Sequence, residues 1–199
     1  MEYVDSGIDI NMLDDDERTG LHWAASSKNP ELVQYLLSLP GTKLNCQDEA
    51  GTTPLMCAVS TGRKQNVILL LEAGANVNLE NENKETVLHM TKNNADILEL
   101  FIDQITDINK KNDYGITALM KAASLGSLDS LTILLNHGAD MYATDHEGNT
   151  AAHYAAFDNQ RKAYLLLKQH GFDENTVNKE NKTPLDYVHY RLCSKKQIS

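Results

Sequence analysis

The sequence predicts an all-α solenoid in which helix-turn-helix units stack on one another and are joined by β-turn or hairpin fingers. Three observations support this fold class. A threonine that begins a small-residue helix recurs every 31 to 34 residues. An Asp or Asn precedes each of these threonines by five residues, and an apolar second helix follows the first helix. The recurring threonines are Thr19, Thr53, Thr86, Thr117, Thr150 and Thr183.

Each unit consists of a turn, two helices and an extended return. In the second unit, Asp48 can hydrogen-bond the backbone of the turn, and Thr53 can cap the helix in TPLMCAVSTG. Pro54 suits the first helical position, and Gly74 can close the second helix in a left-handed conformation. Because about 33 residues cannot bury their own apolar faces, the units must stack.

The repeat spacing also predicts the domain boundaries. We expect one domain over residues 7–190 and a polar tail over 191–199. Residues 7–13 match only the closing stretch of a unit, so the chain is either a piece of a longer protein or has a truncated first helix pair. The predicted units are 7–13 (partial), 14–47, 48–80, 81–111, 112–144, 145–177 and 178–190 (partial).

The third unit departs most from this pattern. Lys84 stands where other units have Gly, Thr91 and Lys92 replace the alanine pair, and Ile105 replaces the glycine that ends the second helix. Two residues are also missing near positions 93 and 94. We therefore predict that the third unit is the least stable part of the stack.

The composition is that of a globular protein, with 199 residues of which 41% are hydrophobic and 23% charged. Three cysteines without a CxxC pair exclude a disulfide framework and favour a reducing compartment. The start MEYVDSGIDI is acidic and polar, unlike a secretion signal, and no apolar run is long enough to span a membrane. We expect a cytoplasmic or nuclear protein that does not insert into membranes.

No residue pattern indicates catalysis, a cofactor or a metal. The sequence has no GxGxxG, P-loop or GxSxG motif. His22, His89 and His153 recur at one repeat position, which predicts that they brace turns by hydrogen bonds rather than bind metal. The acidic run at 14–17 lacks the glycine and the ligand pattern of a calcium loop. We therefore predict no catalytic, cofactor or metal site, and a protein that is not an enzyme.

The motifs TPLH-x-AA and LL-x-x-GA-x-x-N, spaced by about 33 residues, resemble the ankyrin repeat over residues 7–190 or so. The resemblance implies an L-shaped unit of a β-turn and two antiparallel helices, stacked into a curved solenoid whose concave face binds other proteins. More narrowly, DERTGLHWAAS, DEAGTTPLMCAVSTGR and DHEGNTAAHYA resemble the gankyrin-like chaperones of the proteasome regulatory particle. That likeness implies a grip on the C-terminal domain of a proteasomal ATPase subunit. The alternative is an ankyrin-repeat segment of a larger scaffold, enzyme or channel protein that docks a partner.

The ankyrin pattern places the concave face at the turns and at the exposed positions of each first helix. Several of these positions carry large side chains that a purely structural repeat does not need, and such side chains dominate interface energies. Trp23 and Tyr154 could instead pack onto a neighbouring unit. The predicted contact residues are Asp15, Asp16, Arg18, Trp23, Glu49, Thr52, Glu82, Glu85, Met90, Asp113, Tyr114, Ile116, Lys121, Leu125, His146, Asn149, Tyr154, Phe157, Asp158, Lys179 and Lys182.

The charge differs between the two halves of the chain. Residues 1–99 hold 7 Lys and Arg against 16 Asp and Glu, a net charge of −9, whereas residues 100–199 have a net charge of −1. An acidic half repels phosphate backbones, so nucleic acid is excluded as a partner. We expect a monomer that binds an oppositely polarised protein, or else a charge that serves only solubility.

Overall fold

A computed structural model describes residues 9–187 of the chain. Each of the five complete units forms a pair of helices, as the repeat predicts, and a further helical turn covers residues 184–187. The pairs are α1 (Gly20–Ser26) with α2 (Pro30–Ser38), α3 (Pro54–Ser60) with α4 (Lys64–Glu72), α5 (Val87–Met90) with α6 (Ala95–Leu98), α7 (Ala118–Leu125) with α8 (Leu128–Asn136), and α9 (Ala151–Phe157) with α10 (Arg161–Gln169).

The predicted all-α repeat fold is confirmed. Residues 9–187 contain no β-strand, and the segments between repeats are hydrogen-bonded turns. Pro54 occupies the start of α3, and Gly74 is left-handed with φ of 89° just after α4. The predicted boundaries at 7 and 190 and the tail 191–199 lie outside the described residues, and the division into units remains a prediction.

The described chain packs into two compact units, each of which contains several repeats. From here on, a unit is one of these two parts of the chain, and a repeat is one helix pair with its turn. Residues 9–91 and 96–106 form the first unit, and residues 92–95 and 107–187 form the second. The division falls within the third repeat. The first unit therefore contains α1 to α5 and most of α6, whereas the second contains α7 to α10.

Small residues and one buried amide join the repeats of the first unit. Ala24 and Ala25 of α1 are fully buried, and Val67 of α4 is fully buried too. Asn66 of α4 is also buried, and its Nδ2 donates to the carbonyl oxygens of Ala25 at 2.8 Å and Ser27 at 2.9 Å. This amide satisfies carbonyls at the end of α1 that have no partner within the helix.

The second unit uses the same close approach of helices. Ala123 in α7 and Ala155 in α9 are fully buried, which lets the two first helices pack closely. Leu131 of α8 and Leu167 of α10 complete the apolar layer beneath them. The stacking of small-residue helices predicted from the sequence thus occurs within both units.

The third repeat is irregular, as its sequence predicts. Its helices α5 and α6 have four residues each, whereas α1 to α4 and α7 to α10 have seven to nine. A 3-10 helix, Ile102–Gln104, follows α6. Lys84 and Lys92 have φ angles of 57° and 48°, in the left-handed region that favours glycine. The third repeat therefore departs from the others in the length of both helices and in the segment that follows them.

Candidate functional site

Six turns of one geometry, here called fingers, precede the first helices. The fingers are residues 14–18, 48–52, 81–85, 112–116, 145–149 and 178–182, and the first residue of each is called the frame residue. In the second finger, the N–H of Asp48 donates to the carbonyl of Thr52 at 3.0 Å. Its Oδ1 accepts from the N–H groups of Ala50 at 3.1 Å and Thr52 at 2.7 Å. The same three bonds are made by the other frame residues, which are Asp14, Asn81, Asn112, Asp145 and Asn178. The predicted bonding of Asp or Asn to its own turn is confirmed.

Backbone hydrogen bonds connect successive fingers within each unit. In the first unit, Glu49 N–H donates to Asp16 O and Glu82 N–H donates to Ala50 O, both at 3.0 Å. In the second unit, the N–H of His146 donates to the carbonyl of Tyr114, and the N–H of Lys179 donates to the carbonyl of Glu147.

The second finger needs glycine at its fourth position. Gly51 has φ of 73°, and a Cβ there would lie 2.8 Å from the backbone nitrogen of Glu82. A side chain at this position would therefore push the neighbouring finger away.

Two histidines brace neighbouring repeats. The N–H of Thr19 donates to His22 Nδ1 at 3.0 Å, so the proton of the neutral ring lies on Nε2, which donates to the carbonyl of Thr52 at 3.0 Å. His153 makes the corresponding bond to the carbonyl of Lys182 at 3.0 Å. Burial lowers the pKa of both histidines, which keeps them neutral. The prediction that these histidines brace turns is confirmed.

The frame carboxylate of the second finger also holds an arginine. Arg18 Nε donates to Asp48 Oδ2 at 3.0 Å, and the Asp48 side chain is almost fully buried. Burial alone raises the pKa of Asp48, but the hydrogen bonds from Thr52 N–H and from Arg18 outweigh it, so the pKa lies below its usual value. This carboxylate is therefore ionised at neutral pH and fixes the direction of Arg18.

Aromatic side chains reach back to the frame residue nine positions earlier in three repeats. Trp23 Nε1 donates to Asp14 Oδ2 at 2.7 Å, and the hydroxyl of Tyr154 donates to Asp145 Oδ2 at 2.8 Å. These two side chains could serve either partner contact or packing onto a neighbouring repeat. Trp23 stays 56% exposed, whereas Tyr154 is half-buried. Burial and the neighbouring Asp145 raise the pKa of Tyr154, so its hydroxyl remains a donor.

A third aromatic side chain of this kind, Tyr187, is not among the contact residues predicted from the sequence. Asn178 Nδ2 donates to the hydroxyl of Tyr187 at 2.8 Å. The signal was present in the sequence, because Tyr187 follows its frame residue by the same nine positions as Trp23 and Tyr154 do.

All 21 predicted contact residues lie at the surface of their unit. Twelve are exposed: Asp15, Asp16, Trp23, Glu49, Glu82, Asp113, Tyr114, Leu125, His146, Phe157, Lys179 and Lys182. Nine are half-buried: Arg18, Thr52, Glu85, Met90, Ile116, Lys121, Asn149, Tyr154 and Asp158. Exposure is what a contact residue requires, and whether these residues bind a partner remains a prediction.

The finger surfaces of the two units differ in charge. The three fingers of the first unit have formal charges of −3, −2 and −1 in chain order, counting Asp, Glu, Lys and Arg. Those of the second unit have charges of −1, −2 and +1. The fingers of the first unit are thus all acidic, and the finger at 178–182 has a net positive charge. Whether these charges orient a partner remains a prediction.

Each unit also brings predicted contact residues together in a cleft. A cleft of about 340 Å³ in the first unit is lined by Asp16, Arg18, Asp48, Glu49, Ala50 and Glu82. A cleft of about 180 Å³ in the second unit is lined by Asn149, His153, Tyr154, Phe157 and Tyr187. The first cleft is acidic and the second is aromatic.

The described residues offer little for chemistry of other kinds. Within residues 9–187, no group of three or more His, Cys, Asp or Glu side chains could hold a metal ion. None of the helices in this range combines the length and apolar character that crossing a membrane requires. Burial raises the pKa of the Cys57 thiol, which disfavours its reactive thiolate form.

Comparison with known proteins agrees with the repeat structure. The family model for ankyrin repeats in three copies matches residues 2–81, 69–145 and 86–178. The chain is 30% identical over 188 residues to the human transient receptor potential cation channel subfamily A member 1, covering 88% of this chain and 17% of that protein.

Two palmitoyltransferases are also similar. The chain is 33% identical to palmitoyltransferase AKR1 of Lachancea kluyveri, covering 86% of this chain and 25% of that protein. It is 32% identical to palmitoyltransferase Hip14 of Drosophila melanogaster, covering 94% of this chain and 30% of that protein. The chain therefore spans less than a third of the length of each of these three relatives.

Proposed function

Because the chain belongs to the ankyrin-repeat family, we propose that it is a non-enzymatic module that binds another protein with its fingers and first helices. The observation that carries this proposal is the exposure of large aromatic side chains at these positions. Trp23 is 56% exposed, Tyr114 66% and Phe157 52%. Aromatic side chains that become buried in an interface supply much of the binding energy.

The position of Trp23 is already fixed without a partner. Its indole nitrogen is bonded to Asp14, and the Arg18 guanidinium lies 5.4 Å from the centre of its ring. A side chain that is ordered beforehand loses less conformational entropy on binding. This supports a role for Trp23 as an anchor.

The first candidate partner is the C-terminal domain of a proteasomal ATPase subunit. Basic residues of such a partner would meet the acidic fingers of the first unit, and acidic residues would meet the net positive finger at 178–182. The finger charges support this arrangement. We place this interaction in the cytoplasm or nucleus, with the chain acting as a monomer.

The alternative is that these repeats are the docking segment of a larger scaffold, enzyme or channel protein. Its support is that the similar channel and palmitoyltransferases are three to six times as long as the matched region. In this case the partner would be whatever protein the larger molecule recruits through its repeats.

Affinity capture with point variants tests the proposal. Proteins captured from a cell extract by the full chain are identified by mass spectrometry, and one purified partner is titrated against variants. We expect Trp23→Ala and Tyr114→Ala to weaken binding roughly thirty-fold, the factor that corresponds to about 2 kcal/mol. Tyr35→Ala is the matched control, because Tyr35 is 41% exposed on the second helix α2 of the same repeat.

The outcomes separate the hypotheses. Unchanged affinity in both Trp23→Ala and Tyr114→Ala would reject binding by the fingers and first helices. Direct binding of a purified proteasomal ATPase C-terminal domain supports the chaperone role. Failure of that domain to bind, with another captured partner that depends on Trp23, favours the docking segment.

A further inference from the structure

The aromatic cleft of the second unit presents ring surfaces to solvent. Phe157 and Tyr187 meet edge to face with their ring centres 5.8 Å apart, and the His153 ring lies 6.2 Å from that of Tyr187. Phe157 is 52% exposed although it is a large apolar side chain. The cleft thus leaves apolar surface uncovered on the first-helix side of the fifth repeat.

The polar groups of the cleft already have partners inside the protein. Asn149 Nδ2 donates to Asp145 Oδ2 at 3.1 Å, and its Oδ1 accepts from Asn178 Nδ2 at 2.7 Å. The same two frame residues hold the hydroxyls of Tyr154 and Tyr187. His153 is bonded at both ring nitrogens. A polar ligand would have to replace these bonds, whereas an apolar group would not.

The volume of the cleft suits one side chain. It measures about 180 Å³, and an apolar cavity of about 150 Å³ is sufficient to hold a benzene ring. A single Leu, Met or Phe side chain therefore fits, whereas a folded element does not.

Positive charge lies at the edge of the cleft. Lys182 Nζ is 5.7 Å from the centre of the Tyr187 ring and forms an ion pair with Glu180 at 2.6 Å. Both members of this pair are at least half exposed, and exposed pairs contribute little to stability. Lys179, in the same finger, donates from Nζ to the carbonyl of His146 at 2.6 Å. A carboxylate from a partner can therefore replace Glu180 beside Lys182 and approach Lys179 at small cost.

We propose that this cleft receives one apolar side chain from an acidic segment of the partner protein, with a partner carboxylate beside Lys182 and Lys179. The proposal rests on the function proposed above and specifies the chemistry of what the second unit binds. All three fingers of the first unit have a net negative charge, whereas the sixth finger beside this cleft has a net positive charge, so the acidic segment is directed to the sixth finger.

Three fluorescent peptides of twelve residues test this proposal with the full chain. One is rich in Glu with a central Leu, one has Ala in place of that Leu, and one has Lys in place of each Glu. Fluorescence anisotropy at low salt gives the affinities. We expect the Glu peptide with Leu to bind at least ten times more tightly than either of the others. We also expect its binding to shift the aromatic NMR signals of Phe157 and Tyr187.

Two variants test whether the peptide binds in this cleft. Phe157→Ala should reduce binding of the Glu–Leu peptide to the level of the Ala peptide. Leu165→Ala should leave it unchanged, because Leu165 is 43% exposed on the second helix α10 of the same repeat. Thermal unfolding of both variants checks that they remain folded.

Other results would overturn the cleft proposal. These are equal affinities for the Leu and Ala peptides, binding that is indifferent to Phe157→Ala, or no binding at all. Contacts between the Phe157 ring and residues 188–199 in the NMR spectrum of the free protein would show that the chain itself fills the cleft, and would also overturn it. In each case, the effect of Trp23→Ala on the captured partner still decides the proposed function separately.

Discussion

The fingers of the two units share one backbone geometry but carry different side chains. The second finger, in the first unit, and the fifth finger, in the second, both have a frame Asp that accepts from backbone N–H groups two and four residues later. The cleft beside the second finger is lined by Asp16, Glu49 and Glu82, among others. The cleft beside the fifth finger is lined by Tyr154 and Phe157, among others.

The comparison separates the residues that build a finger from the residues that give it chemistry. The frame residue, the left-handed fourth position and the capping threonine recur in both units. The side chains at the other finger positions and on the first helices vary from acidic to aromatic. A change at a frame residue should therefore reduce stability, whereas a change at an exposed position of a finger or first helix should alter binding.

The largest effect is expected from breaking a frame. Asp48→Ala removes the acceptor for two backbone N–H groups and for Arg18, so the free energy of unfolding should fall by roughly 2–3 kcal/mol. Urea denaturation measures this value. Asp48→Asn is the matched control, since Asn stands at this position in the third, fourth and sixth fingers.

The control variant distinguishes the frame from the ion pair. We expect Asp48→Asn to retain most of the stability, because the amide oxygen can still accept both N–H groups. A loss in Asp48→Asn as large as that in Asp48→Ala would show that the pair with Arg18, and not the turn, is what Asp48 stabilises.

Hydrogen exchange sharpens the contrast between regular and irregular repeats. Amides of α5 and α6 should exchange at least about tenfold faster than those of α7 and α8, because four-residue helices have few internal hydrogen bonds. Lys84→Gly should slow this exchange, since Lys84 has φ of 57° where the second, fourth and fifth fingers have Gly. Uniform protection from α3 to α8 would contradict the prediction.

A smaller effect is expected from pH. Because burial lowers the pKa of His22 and His153 in the folded state, the unfolded chain binds more protons below about pH 6.5, and stability should fall as the pH drops from 7 to 5. The frame carboxylate Asp48, with its lowered pKa, contributes a separate loss only when the pH falls below about 4.

Methionine substitutions provide the control for this pH effect. Met56 and Met120 occupy the histidine position in two other repeats. The double variant His22→Met, His153→Met should therefore show a melting temperature that changes less between pH 7 and pH 5. An equal change in the variant and the parent would mean that other groups cause the acid destabilisation.

The smallest effect is expected from single charges on the fingers. Glu49→Lys in the first unit and Lys179→Glu in the second should each slow association with an oppositely polarised partner by a few-fold, and added salt should reduce the difference. Stopped-flow fluorescence measures these rates. Association rates that do not depend on salt would show that the finger charges serve solubility alone.

The sequence predicted the repeats well because their geometry depends on local contacts. The frame residues bond within five residues, and the helices follow from short capping signals around Thr53 and Pro54. The third repeat was also identified as irregular, since its substitutions at Lys84 and Ile105 remove the residues that favour turns and helix ends.

The clefts could not be predicted in the same way. The pair of Arg18 with Asp48 and the ring contact of Phe157 with Tyr187 join residues 30 positions apart. Their formation depends on how neighbouring repeats pack, which a single-repeat pattern does not specify. The spacing of nine residues between Asn178 and Tyr187 was visible in the sequence, but only the structure shows that it marks a hydrogen bond.

Hydrogen exchange of the chain with and without a captured partner tests the central claim most directly. We predict that the partner slows exchange at the fingers and in the first helices, with the second helices α2, α4, α8 and α10 unaffected. Slower exchange confined to the second helices, with the fingers unchanged, would contradict the claim that this protein binds through its fingers and first helices.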